Sequence, residues 1–263
     1  MPDILSFHDA FNMVDSSVRG GGNGTILLLM GTQGYGKGEF SALVMKRLAD
    51  EGLSVMHYRA VSGAERDPKS VFKSLLSQAG ESPLSEDKSD ILKCLERVLA
   101  SNQKGTLVVL ENVHNLLSES LDILMESVPI FRKHISVFLA TTIIADETNL
   151  EMKSLINRII ERTGTKVVQL KPPEVADFEL IANENGFVLP SELIKDIFAM
   201  TRGSISLFKN AIFYYKNVGI FGKDGRINES VSRFLPIPPS QDLLYGSVMG
   251  QLSEKQRFIL DIL

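Results

Sequence analysis

Five short runs of Val, Ile and Leu stand out along the chain: Thr25–Met30, Leu53–Tyr58, Thr106–Leu110, Ile135–Ala140 and Lys166–Leu170. They are apolar at nearly every position rather than at alternate ones, which predicts strands covered on both faces, as in a parallel sheet. The intervening stretches carry apolar residues at helical spacing. Val71, Phe72, Leu75 and Leu76 form one stripe, opened by Asp67-Pro68. Ile91, Leu92, Leu95, Val98 and Leu99 form a second, with Ser89 or Asp90 as N-cap. Leu121, Leu124, Met125 and Val128 form a third, closed by Pro129. Strand and helix alternating over residues 25–170 predict an α/β domain. Beyond Leu170 the pattern changes. Lys171-Pro172-Pro173 breaks the chain, and three helical stripes follow: Phe178, Ile181 and Ala182; Leu193, Ile194, Ile197 and Phe198; Phe208, Ala211, Ile212 and Tyr215. Three helices this short need a neighbour against which to bury their faces. The expected organisation is an α/β domain over 1–172, a small helical domain over 173–217, a linker rich in Gly and Pro over 218–250, and an amphipathic helix over 251–263. That last helix is either docked on the body or the start of a further domain.

The chemistry sits at the end of the first run. Gly31-Thr32-Gln33-Gly34-Tyr35-Gly36-Lys37-Gly38 follows the strand directly, and Phe40 to Leu48 reads as a helix. This is the frame G-x-x-x-x-G-K of a phosphate-binding loop with its expected flanks. Glycines let successive backbone N–H groups point inward, the helix N-terminus adds partial positive charge, and Lys37 reaches the β- and γ-phosphates of a nucleotide. The eighth position departs from the pattern. Gly38 stands where a Ser or Thr hydroxyl would bind Mg²⁺, and Glu39 then places a carboxylate where it repels an anionic ligand. Val108-Val109-Leu110-Glu111-Asn112-Val113-His114 supplies the second half of such a site. Glu111 is the candidate acid for magnesium and catalysis, and Asn112 occupies the place of a second acid but cannot act as a base. Thr141 and Thr142, just after the fourth run, are candidate γ-phosphate contacts, with a plain structural role at the strand end as the alternative. His114 reads as a loop residue, and His8, His57 and His134 form no metal-ligand pattern. Arg158 and Arg162 read as solvated helix residues, with reach to a neighbouring subunit's phosphate as the alternative.

Composition narrows the setting. The 263 residues are 44% hydrophobic and 23% charged with a net charge of −4, an ordinary balance for a folded chain of one or two domains and a poor one for coating nucleic acid by charge alone. A single cysteine, Cys94, can form no internal disulfide, and the longest apolar run near the start, Ile26–Met30, is far too short for a membrane span. The expectation is a cytoplasmic protein with no membrane partner.

Taken together these motifs resemble an AAA+-related P-loop NTPase, most closely the STAND group that includes LuxR-type, maltose-activator-like regulators. Gln33-Gly34-Tyr35-Gly36-Lys37 is similar to their Ala-Gly-Tyr-Gly-Lys. Asp67-Pro68 followed by Phe72 is similar to their Asp-Pro-x-x-Phe. Val109-Leu110-Glu111-Asn112-Val113-His114 stands where they carry apolar-Asp-Asp-x-His, and Thr201-Arg202-Gly203-Ser204-Ile205-Ser206-Leu207 parallels the Thr-x-Gly-x-Pro-x-x-Leu of their lid. Archaeal origin-recognition initiators share the plan but carry an arginine shortly after the position of Gly203, where Ser204 and Ser206 stand here. The resemblance implies a parallel sheet with the five runs in the order 5-1-4-3-2, Glu111 and Thr141 flanking the phosphates, and a winged helix opening at Leu252 through which DNA could be bound. It implies ATP or ADP as ligand with weakly held Mg²⁺, and a protein partner or self-association. Three functions stay open: a nucleotide-dependent switch with slow hydrolysis, an origin-recognition-like DNA-binding ATPase, and a pseudo-ATPase scaffold.

Overall fold

The computed structural model describes residues 2–19, 24–32, 34–61, 63, 67–83, 85, 87–102, 104–135, 137–142, 157, 160–161, 165–222 and 224–227. Six strands form one parallel sheet: β1 (Asp3–Leu5), β2 (Thr25–Met30), β3 (Ser54–Arg59), β4 (Thr106–Glu111), β5 (Val137–Thr142) and β6 (Lys166–Leu170). Their order is β1-β6-β2-β5-β4-β3, with every pair parallel. The five predicted runs therefore lie in the predicted order, and β1 is added at the edge beside β6. At three residues with Ile4 exposed, β1 is too short to show a pattern.

The uniform apolarity of the strands has the expected cause. Leu27, Leu29, Leu107, Val109 and Leu139 face one core, while Ile26, Leu28, Met30, Val108, Leu110 and Phe138 face another. Helices α3 (Ser70–Gln78), α4 (Lys88–Ser101) and α5 (Ser118–His134) cover the second face. The first is covered by α1 (Phe7–Arg19), which the sequence reading passed over, and α2 (Lys37–Asp50). Phe7, Ala10, Phe11 and Val14 form the buried stripe of α1, and Phe7 and Phe11 meet Phe40 of α2 edge-on with ring centroids 5.4 and 6.3 Å apart.

Two helix boundaries differ from expectation. Helix α4 is capped at Asp87, ahead of Ser89 and Asp90. Pro129 does not end α5, which continues to His134. The lost N–H bond is offset by the burial of Phe131, which stacks on Phe138 at 4.9 Å.

The three C-terminal helices are α6 (Val175–Glu184), α7 (Ser191–Thr201) and α8 (Ile205–Asn217). Their stripes bury as predicted, with Phe178 and Phe208 stacked at 4.3 Å, and they join the same core as α1, α2 and the sheet. Asp177 fastens this junction. One carboxylate oxygen accepts the His8 N–H at the start of α1 and the other accepts the Glu174 N–H at the start of α6, at 3.1 and 2.8 Å. Part of the stretch read as linker belongs to this body. Ile220 is buried, the Phe221 and Phe187 rings meet at 4.7 Å, tilted by 42°, and the Val188 N–H donates to the Gly225 carbonyl. The predicted helix over 251–263 lies outside the described residues.

Candidate functional site

Because all strands run the same way, the ends of β3 and β4 and the loops after β2 and β4 gather at one edge of the sheet and face α8 across a cleft of about 800 Å³. The loop after β2 is held at its start by the Gly31 N–H, which donates to the Thr142 carbonyl at 3.3 Å, and it ends where Gly36 turns the chain into α2. Gly34 and Gly36 both lie in the left-handed region, at φ 91° and 85°. At Gly36 a Cβ would also stand 2.6 Å from Ile205 Cδ1, so this glycine lets the first turn of α8 rest directly on the loop. No side chain caps the start of α2, whose first backbone N–H groups therefore serve the cleft. Thr32 and Tyr35 shape the turn through a Tyr35 N–H bond to the Thr32 carbonyl; Gln33 lies outside the described residues.

Lys37 is buried, and its ammonium group donates to the Gly31 and Thr32 carbonyls at 2.6 and 3.0 Å. The cation predicted to reach phosphates rests on the loop's own oxygens at the wall of the cleft. Gly38 is exposed, with open space where a Cβ would be. A hydroxyl residue would fit there, and none is present.

Two of these residues are engaged by the surrounding packing. Glu39 lines the cleft. Its buried carboxylate is taken by the helices opposite, in an ion pair with Lys209 of α8 and a 3.3 Å hydrogen bond from the Asn185 side chain. Thr141, in contrast, does not line the cleft. It is fully buried and its hydroxyl accepts the Asn112 N–H at 3.1 Å, holding Asn112 in a left-handed conformation at φ 58°. The physical reason is the same in both cases: a buried polar group settles on whichever partner the packing supplies.

Glu111 does reach the cleft, at the end of β4. Register places Arg59 of β3 directly beside it, and His57 lies two residues earlier on the same face. Arg59 Nε is 3.5 Å from one carboxylate oxygen of Glu111, and His57 Nε2 is 3.6 Å from the other. His57, which formed no pattern along the chain, therefore has a definite place, and neither it nor Arg59 was found from sequence because nothing linear connects them to Glu111. His114 was missed as well. It lines the cleft from the short 3₁₀ turn after Asn112, with Nδ1 3.3 Å from the Thr142 hydroxyl. Burial, and secondarily the Lys37 cation, push its imidazole below the ordinary value, so it is the neutral ring that faces the cleft. Arg158 and Arg162 lie outside the described residues.

The cradle fits phosphate: backbone donors, a helix start, a lysine and room for a nucleotide. On the side where a magnesium ion would lie, Gly38 offers no side-chain oxygen and the Glu111 carboxylate already faces Arg59.

Comparison with known proteins agrees with this architecture. Residues 19–168, more than half of the chain, match the family described as AAA domain, and the chain belongs to that family. Among solved structures it resembles the Aeropyrum pernix ORC2 protein in its ADPNP–ADP complexes, at 17% identity over 84% of this chain and 66% of that one, with a TM-score of 0.55. The Aeropyrum pernix ORC1 protein in complex with DNA gives 16% identity, 95% and 66% coverage and a TM-score of 0.56. Domain III of the Thermotoga maritima replication initiation protein DnaA gives 14%, 86% and 90%, and 0.53. At these identities the likeness establishes the fold, an AAA+ P-loop NTPase, and the chain spans just under two thirds of the length of both Aeropyrum proteins. No curated protein sequence matches it. Among the described residues, no helix is long and apolar enough to cross a membrane.

Proposed function

We propose that this chain binds ATP or ADP in the cleft and acts as a nucleotide-dependent regulatory switch that turns over slowly. The observation that carries the proposal is the contact of the phosphate loop with the helices opposite. Ile205 rests on Gly36, Lys209 pairs with Glu39, and Arg47 of α2 pairs with Glu184 of α6 at 2.8 Å. A ligand filling the loop has to displace Lys37 from its carbonyls and sits against α8, so its presence biases the packing of α6–α8 on α2. The loop from Gly31 to Gly38 supplies backbone donors and Lys37 the charge. Slow turnover follows from Asn112, which can orient water but take no proton, and whose backbone is tied down by Thr141. In this reading residues 1–172 carry the nucleotide, 173–217 form the lid, and residues beyond 217 lead to a C-terminal element that passes the state on to a protein partner, to another copy or to DNA.

Calorimetric titration with ADP tests the proposal. Lys37→Ala should weaken binding on the order of tenfold to a hundredfold, the value of a charge-assisted phosphate contact. ATP turnover should fall well below about 1 s⁻¹. Complete lack of nucleotide affinity in the natural sequence would defeat the switch and leave the scaffold reading, which Gly38 and Asn112 favour. The DNA-binding alternative draws on the ORC1 complex alone; fluorescence anisotropy with duplex DNA, with and without nucleotide, decides it.

A further inference from the structure

Glu111 is the acid that, in a magnesium-dependent phosphate loop, would face the metal, with a loop hydroxyl as its companion ligand. In this chain both halves of that arrangement are altered. The hydroxyl is absent at Gly38, although the space for it is open. The carboxylate has a side-chain exposure of 7% and already faces two nitrogen groups, Arg59 Nε at 3.5 Å and His57 Nε2 at 3.6 Å. A carboxylate this buried needs a compensating cation. The metal would normally supply it; here β3 does.

We propose that Arg59, assisted by His57, is a built-in cation on the magnesium side of the cleft, and that adenine nucleotide binds this chain without magnesium. The inference rests on the nucleotide reading above and names the residue that stands in for the ion.

Three features support it. Arginine stays protonated at every relevant pH, so its charge is always present. A guanidinium has five N–H donors in a planar fork, and one carboxylate uses at most two of them. The side chain of Arg59 is 66% exposed and lines the cleft, so the remaining donors can meet phosphate oxygens. Magnesium, in contrast, demands near-octahedral oxygen ligands and sheds water reluctantly. To enter it would have to separate Arg59 from Glu111, and it would find no hydroxyl at position 38 as a second protein ligand. His57 strengthens the case from another direction, because its buried Nε2 has no hydrogen-bond partner among the described residues and the nearest acid is Glu111.

The test is ADP titration calorimetry on the full chain, in EDTA and in excess Mg²⁺. The natural sequence should bind ADP in EDTA, and excess Mg²⁺ should weaken the apparent affinity by the factor to which it depletes metal-free ADP, never tighten it. Arg59→Ala should lose about tenfold or more in EDTA, and Mg²⁺ should recover most of that loss because Glu111 is then free to approach the ion. Arg59→Lys, which keeps the charge, should retain most of the EDTA affinity. Mn²⁺ spin resonance supplies a second readout: the natural protein should shift the Mn²⁺–ADP spectrum toward that of free Mn²⁺, whereas R59A should broaden it. Because Arg59 is exposed, the fold of R59A is checked by circular dichroism, and R59K keeps the test decisive if R59A fails it. The inference is overturned if Mg²⁺ tightens ADP binding tenfold or more in the natural sequence, or if R59A binds ADP unchanged in EDTA. No ADP binding in either buffer removes the nucleotide reading itself and the inference with it, whereas binding strengthened by Mg²⁺ removes the inference alone.

Discussion

A single histidine shows how the cleft imposes its own electrostatics. His114 is half-buried at the base of the cleft near Lys37, and both factors hold its folded value below the ordinary 6.5. Between the folded and unfolded values the unfolded chain holds more protons, so stability rises with pH. The contribution is complete above about pH 6.5 and is lost as the pH falls from there through the folded value. Thermal melts from pH 5 to 7.5 should therefore slope more steeply for the natural sequence than for His114→Asn. Parallel curves would show that His114 does not titrate against folding. Asn112 makes the complementary point. Its left-handed backbone is stabilised by the Thr141 hydroxyl, so the residue in the place of a second acid is held by structure rather than by chemistry.

Among the elements, the joint between α1 and α6 is the most exacting. Asp177 is 1% exposed, and its two carboxylate oxygens accept backbone N–H groups from His8 and Glu174. Burial pushes its carboxyl above the ordinary range, which offsets part of what those bonds contribute. Asp177→Ala removes the acceptor of two part-buried N–H groups and should cost about 1–3 kcal/mol. Asp177→Asn, which keeps one acceptor, should cost less. Urea denaturation followed by circular dichroism measures both, and equal losses would mean that cavity formation, not hydrogen bonding, sets the cost. Helix α5 shows the opposite balance. A proline that would end an isolated helix is carried because Phe131 behind it is fully buried against β5.

For the whole molecule the decisive contact is between the two halves of the cleft. The Glu39 side chain is 4% exposed and Lys209, its partner across the cleft, is 51% exposed. Lys209→Ala leaves that carboxylate with Asn185 alone and should weaken the packing of α8 on α2 by roughly 1–3 kcal/mol. Amide exchange should accelerate in the first turns of α8, around residues 205–209, before it does in the sheet. The double variant K209A with Glu39→Gln should recover most of the loss, since no charge is then left unpaired. If α8 and the sheet exchange together in K209A, the helices and the sheet unfold as one unit and the contact is no hinge for a nucleotide signal.

The sequence by itself determined the strands, the burial of β2, β4 and β5 on both faces and the phosphate loop, because each is encoded in residues close together along the chain; β3 and β6 are covered only in part. Periodicity fixes which face of an element is apolar, and G-x-x-x-x-G-K between a strand and a helix fixes a local backbone shape. The three apolar stripes of α6–α8 were legible for the same reason, and so was α1 in principle, through Phe7, Ala10, Phe11 and Val14. Tertiary structure decided the partners. Glu39 lines the cleft, yet Lys209, 170 positions later, pairs with it. Thr141 looked like a phosphate contact until Asn112 used its hydroxyl. Arg59 and His57 meet Glu111 only because β3 lies beside β4, a relation set by sheet order rather than by distance along the chain. Local pattern specifies what an element is; which charge neutralises which depends on long-range packing, since a buried ion takes the partner that the fold brings within a few ångströms.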